Sequence, residues 1–206
     1  MRKVAIITGG ARGIGRACAL TLARAGYDIA LVDLLAPELE RTANEIRGLS
    51  REAMTFEADT SLFGRAQEIA AAVRTQFGRI DFLLNNAGKP MPKGVLEISE
   101  REFDDTIAIN LKSCFNYVRA VAPVMLEQGG GRIVSMSSVN AHSGGVTAAV
   151  SRFAYASAKA GILRHDTRPG KGARTDDPRQ CDLSGLDPDR DSEEPGHRRT
   201  RRRNSA

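Results

Sequence analysis

Tyr155 and Lys159 are the two residues of this chain whose types and spacing suit proton transfer best. They stand four positions apart, so on a helix both side chains lie on one face. An ammonium beside a phenol favours the ionised form of the phenol, and such a pair can work as a general acid and base. The sequence therefore predicts a helix here, with acid–base chemistry on one of its faces.

A glycine-rich turn, TGGARGIG from Thr8 to Gly15, follows the first apolar run and opens an amphipathic stretch. Glycine lets such a turn tighten and lets the backbone approach a pyrophosphate, while the helix N-terminus offers free N–H groups and partial positive charge. On its own, a turn of this kind also fits an ordinary strand-to-helix connection. Its spacing, TGxxxGxG, differs from the commoner GxGxxG fingerprint and indicates a narrower family.

Asp33 ends the second apolar run, 18 residues beyond Gly15. A carboxylate at this place accepts hydrogen bonds from both hydroxyls of an adenosine ribose and repels a 2′-phosphate. We therefore expect NAD to be preferred over NADP, although Arg12 lies close enough in the turn to weaken that preference. The alternative interpretation of Asp33 is an ordinary carboxylate at a strand end.

Short apolar runs alternate with amphipathic stretches through residues 1–163, which is typical of a parallel sheet covered on both faces by helices. We predict an α/β fold, a Rossmann-like doubly wound parallel sheet, in one domain spanning 1–163. The predicted strands are Val4–Thr8, Asp28–Asp33, Ala53–Ala58, Ile80–Asn85 and Arg132–Ser137. The predicted helices are Ile14–Ala25, Pro37–Leu49, Ser61–Phe77 and Ser99–Gln128, with Ser61 and Ser99 as N-caps.

Four signatures in order make the chain resemble the short-chain dehydrogenases/reductases of the classical type: Thr8 to Gly15, Asn85-Asn86-Ala87-Gly88, Ser137-Ser138 and Tyr155-x-x-x-Lys159. The resemblance implies an NAD(P)-dependent oxidoreductase that moves hydride between nicotinamide and a secondary alcohol or ketone. It implies the catalytic residues Asn110, Ser138, Tyr155 and Lys159, with Ser137 as the alternative serine. It also implies a cofactor site formed by Thr8, Gly9, Arg12, Gly13, Ile14, Gly15, Asp33, Asp59, Asn86, Ala87, Gly88, Tyr155 and Lys159.

The resemblance also assigns roles to these residues. The tyrosine exchanges a proton with the substrate oxygen, the lysine also binds the nicotinamide ribose, the serine hydrogen-bonds the substrate oxygen, and the asparagine holds a water in a proton relay. Similar proteins include 3-oxoacyl-carrier-protein reductases and sugar or polyol dehydrogenases, and the sequence does not choose among their substrates. Ser138 and Tyr155 are 17 residues apart, a few more than the family pattern, so Asn140 to Phe153 are expected to form an extended substrate-side loop.

Composition argues against several other functions. The three cysteines, Cys18, Cys114 and Cys181, show neither paired spacing nor a nearby histidine pattern, so neither a disulfide framework nor a metal site is expected. The apolar run at residues 4–7 is too short for a signal segment or a membrane span, so we expect a cytoplasmic chain without a membrane partner. The net charge is +5, but the dense basic run at 198–203 carries no aromatic residue to stack on bases, so no nucleic-acid partner is expected.

The pattern changes after Leu163. Of the 43 residues from 164 to 206, 20 are charged, and the only aliphatic side chains larger than alanine are Leu183 and Leu186. Such a segment buries too little apolar surface to offset its ordering entropy, so a disordered tail is expected. When allowed codons are read one nucleotide later, RHDTRPGKGARTDDPRQCDLSGL becomes GMTRGLAKELAPTIRVNAICPGL, a helix, an apolar strand and a Pro-Gly turn as the family has there. We hypothesise a one-base insertion after the Leu163 codon, which truncates the domain after its fifth strand and the start of the following helix.

Two functions are compatible with this sequence. The first is the oxidoreductase just described, acting on a small alcohol or ketone. The alternative is a catalytically inactive nucleotide-binding remnant, because the C-terminal part of the fold is missing. Family members pair through the helices that bear Asn110 and Tyr155, so the resemblance implies a homo-oligomer. Only the first of these helices is whole, and pairing is therefore not expected of this chain.

Overall fold

The computed structural model describes residues 2–143 and 152–163, and its centre is a parallel sheet of five strands. The strands are β1 Lys3–Thr8, β2 Tyr27–Asp33, β3 Ala53–Glu57, β4 Phe82–Asn85 and β5 Arg132–Ser135. Their order across the sheet is β3-β2-β1-β4-β5, with every neighbouring pair parallel. The predicted Rossmann-like fold is therefore confirmed, and each strand lies within two residues of its predicted bounds.

The helices cover both faces of this sheet. They are α1 Gly13–Arg24, α2 Ala36–Gly48, α3 Phe63–Phe77, α4 Glu100–Ile107, α5 Ser113–Glu127, α6 Asn140–Ser143 and α7 Phe153–Leu163, with a π-helical turn at Ala108–Lys112 between α4 and α5. None of the helices within 2–143 and 152–163 is long and apolar enough to cross a membrane.

The alternation of side chains along β1 divides the core into two layers. Val4 and Ile6 face the apolar stripes of α3 and α5, whereas Ala5 and Ile7 face those of α1 and α2. Because successive residues of a strand point to opposite faces, a continuous apolar run is what a sheet covered on both sides requires. The run from Val4 to Ile7 is accordingly fully buried.

The strand order reverses between β1 and β4, which lie next to each other although β1 continues in sequence through α1 to β2. In register, the last residue of β1, Thr8, lies opposite the last residue of β4, Asn85. Ligands of open parallel sheets bind outside the carboxyl ends of the strands at such a reversal. The glycine-rich turn and the Asn85–Gly88 segment both leave the sheet at this point.

Two of the predicted helix starts had different outcomes. At Ser99 the prediction is confirmed, since its hydroxyl accepts from the Glu102 amide and the Glu102 carboxylate accepts from the Ser99 amide, a complete capping box. At Ser61 it is wrong, because α3 begins at Phe63 after Leu62, which makes no side-chain cap. The Ser61 amide instead donates to the Asp59 carboxylate at 2.8 Å, which holds residues 59–62 in a turn.

The long helix predicted over Ser99–Gln128 is interrupted by the π turn at Ala108–Lys112, which contains Asn110. The extended loop predicted over Asn140 to Phe153 is also wrong at both ends, because Asn140–Ser143 is helical and α7 begins at Phe153. The intervening residues 144–151 and the tail at 164–206, for which we predicted disorder, lie outside the described residues.

Candidate active site

The turn after β1 places its backbone against the β4 side of the sheet. Gly9 and Gly13 have φ angles of +68° and +55°, which side chains with a Cβ rarely adopt. A Cβ at Gly15 would lie 1.9 Å from the Gly9 carbonyl oxygen, so α1 approaches the turn more closely than any other residue allows. The first turn of α1 carries no acidic residue, and its N-terminus is therefore suited to an anionic group.

Thr8 and Asn86 tie this turn to the end of β4. The Thr8 hydroxyl donates to the Leu84 carbonyl and accepts from the amides of Asn86 and Ala87 at 3.0 and 3.1 Å. The Asn86 side chain donates in return to the carbonyls of Thr8 and Gly9, at 3.2 and 3.1 Å. These side-chain bonds to the backbone hold the turn against the end of β4.

Gly15→Ala is expected to disrupt this turn, because the added methyl group collides with the Gly9 carbonyl and with the Asn86 amide nitrogen. We expect a loss of roughly 1–3 kcal/mol in the free energy of unfolding and the loss of detectable NADH binding. Thermal unfolding and NADH titration measure the two effects. Gly64→Ala is the matched control, since Gly64 lies in α3 with open space around it. Unchanged stability and binding in Gly15→Ala would contradict the close approach.

Asp33 is held at the end of β2 by backbone amides. One of its carboxylate oxygens accepts from the Ala11 amide at 3.0 Å, and the other accepts from the amides of Leu34 and Leu35. The carboxylate therefore lies against the glycine-rich turn. Each oxygen keeps acceptor capacity, because a carboxylate offers about four lone-pair directions.

Lys159 is almost completely buried at the junction of α7 with the sheet, with 4% of its surface exposed. Its ammonium donates to the Met136 carbonyl at 2.8 Å and lies 5.8 Å from the centroid of the Tyr155 ring. Burial lowers the pKa of Lys159, an effect that the neighbouring Cys114 thiol partly offsets. The predicted placement of Tyr155 and Lys159 on one face of a helix is therefore what the structure has.

The two serines at the end of β5 have different partners. The Ser137 hydroxyl donates to the Lys159 carbonyl at 2.8 Å and so fixes α7 to the strand end. Among the described residues, the Ser138 hydroxyl accepts from the Asn140 amide at 3.3 Å and donates to no acceptor. The serine role predicted for Ser138, with Ser137 as the alternative, stays a prediction, and the two hydroxyls differ in their partners as described.

Asn110 is fully buried in the π turn and holds the segment that follows Gly88. Its side chain accepts from the Lys89 amide at 3.0 Å and donates to the carbonyls of Lys89 and Thr106. A Cβ at Gly88 would lie 2.8 Å from the Asn110 side-chain oxygen and 3.6 Å from the Lys159 ammonium. Gly88, Asn110 and Lys159 therefore meet at one point, although 71 residues separate the first from the last.

Three of the predicted cofactor residues lie away from this point. Arg12 precedes α1 with its side chain exposed, and Ile14 is half-buried in the first turn of the helix. Asp59, after β3, uses one carboxylate oxygen to accept from the Ser61 amide. These three positions surround the turn and the β3 side of the crevice, where the adenosine half of a dinucleotide is expected.

Two buried polar residues of α5, Cys114 and Asn116, were not identified from the sequence. Cys114 lies close to Lys159 and Ser135, and Asn116 bonds to the residues after Asp59. Both fall on the stripe of α5 that also carries Tyr117, Ala120 and Val124, which is buried. A polar residue on an otherwise apolar helix stripe can be identified in the sequence. It predicts a buried hydrogen-bond partner, because buried polar groups need partners.

The comparisons with known proteins identify the family. Residues 3–165 match the family model described as short chain dehydrogenase, and the chain therefore belongs to the short-chain dehydrogenase family. It is 35% identical over 164 residues to the 3-oxoacyl-acyl-carrier-protein reductase FabG of Staphylococcus epidermidis, covering 79% of this chain and 66% of that protein. It is 38% identical over 165 residues to the D-beta-hydroxybutyrate dehydrogenase of Rhizobium meliloti, covering 79% of this chain and 62% of that protein.

Solved structures show the same relationship. The crystal structure of carveol dehydrogenase from Mycobacterium avium in complex with NAD superposes with a TM-score of 0.73 at 31% identity, covering 79% of this chain and 62% of that one. The chain thus spans about three fifths to two thirds of the length of these relatives.

Proposed function

We propose that this chain carries the cofactor-binding and proton-transfer part of an oxidoreductase that interconverts a secondary alcohol and a ketone. The observation that supports this function most directly is the meeting of Lys159 with Gly88 and Asn110, beside the Tyr155 ring, at the carboxyl end of the sheet. The glycine-rich turn leaves the same edge. The proposed phosphate site and the proposed proton-transfer pair therefore lie at the same edge of the sheet.

The residues around the turn fit a dinucleotide. Gly9 and Gly15 leave room where a Cβ would block the backbone, and the N-terminus of α1 points toward the same place. Asp33 lies where both hydroxyls of an adenosine ribose can donate to it, and its charge disfavours a 2′-phosphate. NAD is therefore the proposed cofactor, and NADP is the weaker alternative.

The reaction divides between the cofactor and the side chains of this chain. A bound nicotinamide would supply the hydride transfer, and the residues of this chain would bind it and move the proton. In the oxidation the Tyr155 phenolate takes the hydroxyl proton, and in the reduction the Tyr155 phenol gives it back to the carbonyl oxygen. The Lys159 ammonium stabilises the phenolate, and little water screens its charge because it is buried.

The other two proposed residues orient the reacting groups. Ser138 is proposed to donate its hydroxyl proton to the substrate oxygen, since its contact with Asn140 within 2–143 and 152–163 uses the hydroxyl as an acceptor. Asn110 holds the Gly88–Lys89 backbone beside Lys159 and so keeps the floor of the site fixed.

Cofactor choice tests the proposal. The chain titrated with NADH and with NADPH is expected to bind NADH more tightly, because Asp33 faces the adenosine ribose, which carries a 2′-phosphate in NADPH. Asp33→Ala is expected to weaken NADH binding about tenfold and to narrow the difference between the two cofactors. Fluorescence titration measures the affinity for each cofactor. Asp28→Ala is not a suitable control, because Asp28 is buried and accepts a hydrogen bond from the Glu52 amide. The exposed Asp104, on α4, supplies the control Asp104→Ala.

Equal affinity for both cofactors before and after Asp33→Ala would contradict the proposed role of Asp33. Absence of binding to either cofactor would overturn the proposed function as a whole. Binding of NADH together with no oxidation of any secondary alcohol, in a chain whose family-like C-terminal part has been supplied, would identify a nucleotide-binding module instead.

A further inference from the structure

Asn116 lies fully buried on α5, and its side chain leaves that helix to bond to a different part of the molecule. Its amide nitrogen donates to the carbonyls of Thr60 and Ser61, at 3.1 and 3.0 Å. Its side-chain oxygen is buried and accepts no hydrogen bond from any described residue. The amide therefore uses its two donors, in full, on the turn that separates β3 from α3.

That turn carries Asp59, the residue we place beside the adenine. The Asp59 carboxylate accepts from the Ser61 amide at 2.8 Å, and its carbonyl accepts from the Leu62 amide. The Ala58 amide, just before Asp59, donates to the Asp33 carbonyl at 3.0 Å and ties the start of the turn to β2. Asn116 ties the following residues, Thr60 and Ser61, to α5. The Gln67 side chain of α3 donates to the Asn116 carbonyl at 3.5 Å and links α3 to α5.

The same helical segment holds the opposite end of the proposed site. Asn110, six residues before Asn116, bonds to both backbone groups of Lys89 beside Lys159. The π turn therefore binds the Gly88–Lys89 segment through Asn110, and α5 binds the Asp59–Ser61 turn through Asn116. Between these two contacts lies the carboxyl edge of β1 and β4, where the dinucleotide is proposed to lie.

We propose that Asn116 is a positioning residue for the adenosine half of the cofactor, acting through the Asp59–Ser61 turn. The proposal rests on the proposed function, because it takes Asp59 as the adenine contact. Without the two donors of Asn116, the carbonyls of Thr60 and Ser61 lose their buried partner and the turn moves away from α5. Asp59 then no longer lies at a fixed distance from the adenine.

The experiment measures the dissociation constants of ADP-ribose and NADH for the full chain. Asn116→Asp keeps the shape of the side chain and removes both donors, and we expect it to weaken both ligands by the same factor, about tenfold. Tyr117→Phe is the matched control at the next position, since the Tyr117 hydroxyl is buried and has no hydrogen-bond partner among the described residues. It is expected to leave both constants unchanged. Asn116→Ser keeps one donor and replaces Asn116→Asp if that variant does not fold.

A double-mutant cycle separates positioning from stability. If Asn116 acts through Asp59, then Asp59→Ala and Asn116→Asp together weaken ADP-ribose no more than the stronger single variant does. Additive losses, or a wild-type affinity for ADP-ribose in a folded Asn116 variant that is only less heat-stable, would overturn the positioning role while leaving the proposed function intact. Failure of the unsubstituted chain to bind either ligand would overturn both.

Discussion

Deleting one base after the Leu163 codon is expected to raise the alcohol-oxidising activity at least about a hundredfold over that of the given sequence. A loss of about a hundredfold is typical when reacting groups in an enzyme are misplaced by about 1 Å. With allowed codons, the next residues in the restored frame can read GMTRGLAKELAPTIRVNAICPGL, whose IRVNAI stretch has the pattern of a buried strand. In the printed frame, residues 164–186 offer only Leu183 and Leu186 as aliphatic side chains larger than alanine. The restored segment can therefore extend α7 and add a strand, and the printed one lacks the residues to do so.

The described structure shows what such a segment would complete. β5 lies at one edge of the sheet, and within 2–143 and 152–163 no strand pairs with its outer side. The helix that carries Tyr155 and Lys159 is described as far as Leu163. The match to the family model ends at residue 165, two residues beyond the hypothesised insertion. A strand paired with the outer side of β5 and a longer α7 would support the nicotinamide side of the proposed site.

Both chains are assayed side by side for NAD reduction with a panel of secondary alcohols and for NADH oxidation with the matching ketones. Tyr155→Phe in the restored chain is the control that ties any turnover to this site. A second control deletes two bases instead of one and so reads the tail in the third frame. Equal turnover of the printed and restored chains would contradict the hypothesis, and so would resequencing that finds no family-like peptide in any other frame.

Much of the scaffold could be predicted from the sequence because its elements follow local rules. Apolar runs gave the strands to within two residues, and the Ser99–Glu102 spacing identified a true capping box. The start of α3 was misplaced because the Asp59 carboxylate competes for the Ser61 amide and forms a turn where a helix cap was expected. A local contact between side chain and backbone overrode a local pattern, and no periodicity reveals it.

The roles predicted for the site residues stay predictions, and the structure adds how some of these residues are arranged. The spacing of Tyr155 and Lys159 predicted a shared helix face, which the structure has. The choice between Ser137 and Ser138 depends on which hydroxyl meets the Lys159 carbonyl, and that contact joins elements 22 residues apart. The π turn around Asn110 has the same apolar pattern as an α-helix, so only the packed structure distinguishes them.

We propose that residues 1–163 form a single domain, because the two layers of its core are built from elements between β1 and α5.

Lys159→Met is expected to raise the stability of this chain while abolishing the proposed acid–base function. The groups that face the ammonium are the Met136 carbonyl from β5, the Cys114 thiol from α5, Tyr155 on its own helix and, across Gly88, Asn110. None of these is a carboxylate, so the buried charge has no ionic partner among them. Replacement by an apolar side chain of similar length is expected to raise the free energy of unfolding by roughly 1–3 kcal/mol near neutral pH.

The pH dependence gives the sign of this effect. Burial lowers the pKa of Lys159 in the folded chain below its value of 10.5 in the unfolded chain. Between those two values the unfolded state binds more protons, so the stability of the unsubstituted chain rises with pH. The advantage of Lys159→Met is therefore greatest below the folded-state pKa and shrinks as the pH approaches the unfolded value. Lys112→Met, at an exposed lysine of the π turn, is the control and is expected to stay within about 0.5 kcal/mol.

Denaturant unfolding at several pH values measures the stability difference, and the restored chain measures the activity. There Lys159→Met is expected to lower kcat by roughly 10²–10⁴, the range that a general acid–base group contributes. A Lys159→Met chain that is more stable but has lost turnover would show that Lys159 serves catalysis. Its buried charge destabilises the fold, and only its proposed role in the reaction explains why it is present. A Lys159→Met chain that is less stable at every pH would show instead that the lysine is kept for its bond to the Met136 carbonyl, and that the proton-transfer pair is a structural contact.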